Sequence, residues 1–231
     1  MSRWSALLDV TLGVMLTLAA GLLASLLGGW LFGTLGLPLL TLALVQGVII
    51  LLGLRALLHW RGEGWRGLGL VPPRPVDVLR GLGALALVFA LNATVALAAD
   101  WLAPEVLADH QQRLGGVAQL MAGSVPMAGV AAVMFFVGFY EEVMARGFLL
   151  ARCRRLLPGR WPPVLLSSLL FGLGHAYQGA FGVAQTALIG VVLALLYLRW
   201  QTLWPLIIAH GLLNTIAIAA FRAIDGGGAL S

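Results

Sequence analysis

Long apolar segments, separated by short polar connections, make up most of the chain. Seven of them approach the length of roughly 20 residues that a helix needs to cross a bilayer. They lie at about 8–31, 37–58, 77–99, 124–150, 162–178, 181–199 and 203–222. This pattern predicts an all-α fold, a polytopic transmembrane helical bundle of about seven helices. The first segment continues without a break past its small residues, which favours a retained helix over a cleaved signal peptide.

The charged residues of the connections predict an orientation. The connections after the second and fourth segments carry arginines, namely Arg61, Arg66 and Arg74, and Arg152, Arg154, Arg155 and Arg160. Cytoplasmic connections are enriched in Lys and Arg. The connection after the third segment carries three acidic residues against one arginine, so it is expected outside. The N-terminus is therefore predicted to be cytoplasmic and the C-terminus to lie outside.

Composition supports an integral membrane protein. Hydrophobic residues make up 61% of the 231 residues and charged residues 10%, and the mean hydropathy is +0.98; soluble chains contain about a quarter charged residues. The net charge of +5 does not indicate nucleic-acid binding, because the arginines lie between apolar segments, where they fix topology. The single Cys153 excludes an internal disulfide framework and a cysteine-based metal cluster.

The stretch "FYEEVMARGFL" places charged residues inside an apolar segment. A charge near the bilayer centre costs at least about 2.5–3.5 kcal/mol on insertion scales, so Glu141, Glu142 and Arg146 need a protein interior or a water-filled cavity. Glu142 and Arg146 are four apart and share a helical face, whereas Glu141 points about 100° away. Arg146 is therefore expected to neutralise Glu142. A plain ion pair at a helix end is the alternative explanation.

Two later apolar segments contain further polar residues. His175 follows Phe171 by one helical turn, and His210 and Asn214 are four apart and share a face. At 1.5 Å per residue, these groups and Glu141 reach overlapping depths, roughly 10–18 Å from the cytoplasmic helix ends. One cavity could collect them. Each histidine alone could equally be an interhelical hydrogen-bonding residue.

A carboxylate, two imidazoles and an amide in one cavity suit peptide-bond hydrolysis. A carboxylate and an imidazole can hold and deprotonate a water, and a second imidazole and an amide can donate hydrogen bonds to the developing oxyanion. Nucleophilic catalysis is less favoured, because Cys153 lies among arginines and Ser167 and Ser168 lie near the start of their segment. The alternative class is a non-enzymatic membrane protein, either an immunity factor or scaffold or a small transporter with a Glu/His relay.

The motifs "EEVMARG", "FGLGH" and "HGLLN", in this order, resemble the CPBP family of intramembrane proteases, which includes CAAX proteases, bacteriocin-processing enzymes and the Abi proteins. The resemblance implies that Glu141 and His175 activate water and that His210 and Asn214 form an oxyanion hole. It implies supporting roles for the remaining motif residues, Glu142, Arg146 and Phe171. It favours a glutamic peptidase without cofactor; a zinc site on the two histidines and Glu141 is the less favoured variant.

The resemblance covers about residues 124–222 and divides the chain into three parts. Residues 1–123 form the first three helices and their connections, 124–222 a CPBP-like catalytic core, and 223–231 a tail. The expected substrate is a membrane-associated peptide or protein, in contact with the lipid bilayer, and the oligomeric state is left open. A chain rich in Ala, Leu, Gly and Arg, without Lys, indicates a bacterial inner membrane protein.

Overall fold

The computed structural model describes residues 2–35, 40–122 and 125–228. In these ranges the chain forms eight helices and no strand, which confirms the all-α prediction. The helices are α1 (Arg3–Leu35), α2 (Leu40–Trp60), α3 (Pro75–Leu102), α4 (Pro104–Ala122), α5 (Met127–Leu156), α6 (Trp161–Leu173), α7 (Gly179–Trp200) and α8 (Trp204–Gly228). Short 3-10 turns lie at Trp65–Leu68 and Ala176–Gln178.

Six of the described helices, α1, α2, α3, α5, α7 and α8, are long and apolar enough to cross a membrane, which confirms a polytopic membrane protein. The fifth predicted segment, 162–178, differs from the prediction. Its helix α6 has 13 residues and a length of about 20 Å, short of the roughly 30 Å hydrocarbon core. The helix ends at Gly174, and the chain turns at Gly179, which has a φ of 80° in the left-handed region.

Helix α4 occupies the connection after the third segment, where the apolar pattern gives no span. Its acidic residues Glu105 and Asp109 are exposed, whereas Leu107 and Ala118 are buried, so the helix has a polar and an apolar face. His110 is buried, and its Nδ1 lies 3.4 Å from the carbonyl oxygen of Gln178, just before α7. This histidine received no role from the sequence, and here it packs α4 against the start of α7.

A buried ion cluster joins three distant parts of the chain at one end of the bundle. Arg61 Nε donates to Asp9 Oδ1 over 2.8 Å, and Arg152 Nε lies 2.9 Å from Asp9 Oδ2. Arg152 also donates to Glu63 (2.7 Å), as does Arg155 (3.1 Å). Burial alone would raise the pKa of Glu63, but the hydrogen bonds and charges of these two arginines outweigh it and hold that pKa below its usual value.

The opposite end of the bundle contains the start of α5 and the later part of α8, where Arg222 donates to the carbonyl oxygen of Val125 over 2.7 Å. Since Asp9 pairs with Arg152 near the end of α5, the start of α1 and the later part of α8 lie at opposite ends. Which end faces the cytoplasm stays a prediction, as does the division into three parts. The boundary at 123/124, the segment start at 37 and the tail residues 229–231 lie outside the described residues.

Close helix contacts depend on glycines at two places. A Cβ on Gly172 of α6 would lie 2.6 Å from the backbone oxygen of Val183, so only glycine lets α6 pack this closely on α7. A Cβ on Gly138 of α5 would lie 3.0 Å from the backbone nitrogen of Gly211. This close approach of α5 and α8 brings the paired glutamates of α5 near His210 of α8.

Candidate active site

The paired glutamates lie where α5 changes its hydrogen-bond pattern. The α-helical part ends at Glu142, and the residues Val143–Leu149 that follow form a π-helical segment; such segments occur often at functional sites. Glu142 is fully buried and Arg146 is 2% exposed, and Arg146 Nη1 donates to Glu142 Oε1 over 2.7 Å. The pairing is the one that the i, i+4 spacing predicts.

Glu142 has a second partner that sequence reasoning missed. His210 Nδ1 lies 2.8 Å from Glu142 Oε1, so one carboxylate oxygen contacts both a guanidinium and an imidazole. Glu142 Oε1 accepts the hydrogen bond from Arg146, so it is an acceptor toward the imidazole as well. His210 Nδ1 therefore carries the hydrogen and donates it. The two residues are 68 positions apart, and only the close packing of α5 on α8 reveals the contact.

Glu141 faces both histidines without a direct hydrogen bond to either. Its Oε2 lies 3.8 Å from His175 Nε2 and 3.6 Å from His210 Nε2. Both separations exceed the 2.7–3.2 Å of a hydrogen bond of this kind. Oε2 also accepts no hydrogen bond from any other described residue. The Glu141 side chain is 21% exposed, against 0% for Glu142, so the two neighbouring carboxylates differ in access as well as in partners.

His175 lies just beyond the end of α6, not within the helix that the apolar pattern predicts. Its Nδ1 lies 2.9 Å from the carbonyl oxygen of Phe171. A carbonyl only accepts, so Nδ1 carries the hydrogen and the neutral ring presents a lone pair on Nε2 toward Glu141. The backbone of α6 thus determines both the orientation and the tautomer of this histidine.

Phe171 packs between two other motif residues. The Arg146 guanidinium lies 4.1 Å from the centre of its ring, and the His175 ring centre lies 4.9 Å away. The cation is therefore placed against an aromatic face, a favourable arrangement where water is scarce. Phe171 connects the buried Glu142–Arg146 pair on α5 to the histidine at the end of α6.

The site lies on the wall of a cavity of about 540 Å³. Glu141, His175, His210 and Asn214 all line it, together with Tyr140 and Tyr177 and otherwise mostly apolar side chains of α1, α2, α4, α5, α6 and α8. The tyrosines were missed by sequence reasoning, although each lies within two positions of a motif residue. Cys153, Ser167 and Ser168 do not line the cavity. The arrangement combines a carboxylate, two imidazoles, a hydrogen-bonding amide and an apolar enclosure.

A zinc site would place strict demands on the number and distance of its ligands. Zinc ligands lie about 2.0–2.2 Å from the metal, and structural and catalytic zinc sites use at least three protein ligands. Among the residues that the structure describes, no group of three or more His, Cys, Asp or Glu is arranged to hold a metal ion. Nδ1 of His175 contacts the carbonyl oxygen of Phe171, and Nδ1 of His210 contacts Glu142 Oε1. Each histidine therefore has only Nε2 left, and in both this atom faces Glu141.

Comparisons with known proteins point to one family. Residues 123–216 match the family model described as Rce1-like, type II CAAX prenyl endopeptidase Rce1-like. The matched region covers less than half of the chain but contains all seven motif residues, and it confirms the resemblance that the three motifs carry. No curated protein and no solved structure matches the chain significantly.

Proposed function

We propose, from the match of residues 123–216 to the type II CAAX prenyl endopeptidases, that this protein is an intramembrane endopeptidase that hydrolyses a membrane-associated peptide or protein. One observation carries the proposal. The Glu141 carboxylate lies within 4 Å of ring nitrogens of both His175 and His210, on the wall of a cavity large enough for a peptide segment. The family match supports a peptidase, and the roles of the individual residues are part of the proposal.

Glu141 and His175 activate the attacking water. The 3.8 Å between Glu141 Oε2 and His175 Nε2 is too long for a direct bond and short enough for a water to donate one hydrogen to each. Both atoms are acceptors, because Glu141 is a carboxylate and His175 bears its hydrogen on Nδ1. Glu141 takes the proton as the water oxygen attacks the scissile carbonyl carbon, and the proton is then delivered to the departing amine.

His210 and Asn214 stabilise the oxyanion. Asn214 lies one turn after His210 on α8 and offers amide hydrogens to the same cavity. Because Nδ1 of His210 donates to Glu142, Nε2 carries a hydrogen only in the imidazolium form. The proposed role therefore requires a protonated His210, whose positive charge the Glu142 carboxylate balances at 2.8 Å. Donors aimed at a developing oxyanion act strongly in such a water-poor site.

Glu142 has a role in catalysis as well as in the buried ion pair with Arg146. With Glu141 and Glu142 ionised and Arg146 and His210 protonated, the four groups sum to zero charge, which limits the cost of burying them. Glu142 is a positioning residue in this account. It orients the His210 ring through Nδ1 and favours the charged form that donates through Nε2.

The cavity lining favours an apolar substrate segment. Apolar side chains of α1 and α2, among them Leu18 and Ile50, line the same cavity as the polar residues of α5 and α8. A membrane-embedded or lipid-bearing peptide could place apolar groups against them while its backbone reaches Glu141. The substrate class is therefore proposed as a peptide that enters from the bilayer rather than from bulk water.

The experiment is cleavage of a peptide library by the purified full-length protein in detergent, read by mass spectrometry. The wild type is expected to produce defined new termini, and His175→Ala, with unchanged thermal unfolding, is expected to produce none above background. Equal cleavage by both proteins would assign it to a contaminant. Binding of peptides without cleavage by the wild type would favour the non-enzymatic alternative.

A further inference from the structure

A second cavity, of about 530 Å³, lies away from the catalytic one. It forms where the connection between α5 and α6 meets the connection between α7 and α8. Its lining residues are Arg154, Gly159, Arg160, Leu198, Arg199 and Gln201. Half of them are arginines, and all three arginines are exposed. The site lies at the end of the bundle that contains the Asp9 ion cluster, since Arg154 follows Arg152 on α5.

The positive charge of this cavity is not balanced by the carboxylates around it. Three described carboxylates lie at this end of the bundle, and each pairs with an arginine outside the cavity. The pairs are Asp9 with Arg61 and Arg152, Glu63 with Arg152 and Arg155, and Asp77 with Arg80. No described carboxylate pairs with the three arginines of the cavity. Guanidinium groups that share a concave surface suit a phosphate, which they can bind bidentately.

Both connections that border the cavity turn through the left-handed backbone region. Gly159 has a φ of 80° and Gln201 a φ of 56°, and Gln201 is the one non-glycine residue with positive φ in the described part of the chain. The Gln201 side chain donates to the carbonyl oxygens of Tyr197 and Leu198, over 3.3 and 3.0 Å. These bonds stabilise an unfavourable conformation for an L residue. The turn fixes the end of α7, next to Arg199.

An apolar stripe begins beside the cavity and follows α6 into the membrane region. Its members are spaced four residues apart and are about half exposed: Trp161 54%, Leu165 54%, Leu169 49% and Leu173 52%. Trp161 directly follows Arg160 in the chain. From the first to the last member the stripe measures about 18 Å along the helix. A tryptophan at this position is typical of the membrane interface, with the leucines deeper.

We propose that the arginine cavity binds the phosphate of an anionic phospholipid headgroup, with the acyl chains of that lipid along the α6 stripe. Basic pockets between membrane helices are suited to anionic headgroups. The enrichment of arginine in cytoplasmic connections would explain arginines at this end of the bundle. It does not require three of them to line one cavity beside the apolar stripe of α6. The proposal is independent of whether the protein cleaves peptides.

The test is native mass spectrometry of the full chain released from a neutral detergent, titrated with dioleoyl phosphatidylglycerol or dioleoyl phosphatidylcholine. The wild type should bind phosphatidylglycerol about 10²-fold more tightly than phosphatidylcholine. Each arginine near an anionic headgroup contributes about fivefold in affinity. The triple variant R154Q/R160Q/R199Q should therefore lose about 10²-fold for phosphatidylglycerol and remain unchanged for phosphatidylcholine.

The matched control is R3Q/R55Q/R66Q, which removes the same charge from exposed arginines at the same end of the bundle that do not line the cavity. It should stay within about twofold of the wild type. If both triple variants lost the same affinity for phosphatidylglycerol, the loss would come from net charge alone, and the proposal would be overturned. If the cavity triple does not fold, the three single variants should each lose about fivefold, and single variants without loss would overturn it too.

A further arm separates a lipid from a free anion. Inorganic phosphate and glycerophosphoglycerol, the soluble headgroup, are titrated against the protein loaded with phosphatidylglycerol. Neither should displace the lipid at concentrations below about 10² times that of the lipid, because neither contacts the α6 stripe. Displacement at equal concentration would identify a site for free phosphate compounds and contradict the lipid assignment.

Discussion

Replacing Glu142 by glutamine separates a structural from a positioning role for the more buried of the two glutamates. The substitution keeps the size of the side chain but removes its charge. Glu142 Oε1 accepts from Arg146 over 2.7 Å and from His210 Nδ1 over 2.8 Å. With Arg146 2% exposed, its positive charge would remain buried without a carboxylate partner. Two consequences are expected, one for stability and one for catalysis.

The loss of stability follows from the burial of the pair. Removing one partner of a buried ion pair costs about 3–5 kcal/mol, which corresponds to a fall in Tm of about 6–20 °C for a chain of this size. The loss of activity follows from His210. Without an anion at Nδ1 the imidazolium form is less favoured, and an oxyanion donor is worth about 10²–10³-fold in rate. Thermal unfolding in detergent and the initial cleavage rate of one peptide measure the two effects separately.

A double variant distinguishes the effects, because E142Q/R146M removes the stranded charge as well. We expect it to recover at least half of the lost stability, since an uncharged buried pair no longer strands an ion. Activity should not recover, because His210 Nδ1 still faces a neutral amide. Recovery of both properties would show that Glu142 affects catalysis only through the fold. An E142Q protein as stable as the wild type would refute the buried-pair reasoning itself.

The remaining predictions concern the oxyanion donors and the ion cluster. His210→Ala and Asn214→Ala should each lower the cleavage rate by about 10²–10³-fold with peptide binding largely kept, which is checked by single-turnover kinetics and a binding titration; a loss in binding alone would contradict the role. Because the folded-state pKa of Glu63 lies below 4.5, its carboxylate stabilises the fold above that pH, and this contribution disappears as the pH falls through the folded-state value. Glu63→Gln should therefore lower Tm at pH 7, and the difference from the wild type should shrink below about pH 4.5; a difference that grows on acidification would contradict the assignment.

Local patterns in the sequence were sufficient for part of the fold and the site. The lengths of the apolar segments predicted the six long helices, since a bilayer-spanning helix leaves a continuous apolar run. The i, i+4 spacing predicted the contact between Glu142 and Arg146, because a helix determines it without tertiary structure. Asn92 and Gln185, single polar residues in two apolar segments, hydrogen-bond to each other over 3.0 Å, as polar residues in membrane helices generally do.

The rest depends on contacts between distant segments. The contact of His210 with Glu142 requires α5 and α8 to pack closely at glycines, and no local pattern specifies which helices pair. The exit of His175 from α6 was missed because the apolar run continues past the helix end, so hydropathy does not mark the boundary. Helix α4 was missed because its polar residues lower its hydropathy below that of a span, although it supplies part of the cavity wall.

The central claim, that Glu141 and His175 activate water without a metal, is tested most directly by one cleavage measurement. Wild type and Glu141→Gln are each assayed on one identified peptide after incubation with a strong chelator, then after addition of zinc. The account predicts that the wild type stays fully active after chelation and that Glu141→Gln is at least about 10²-fold slower at unchanged Tm. Loss of wild-type activity on chelation with recovery on zinc, or cleavage by Glu141→Gln at the wild-type rate, would contradict it.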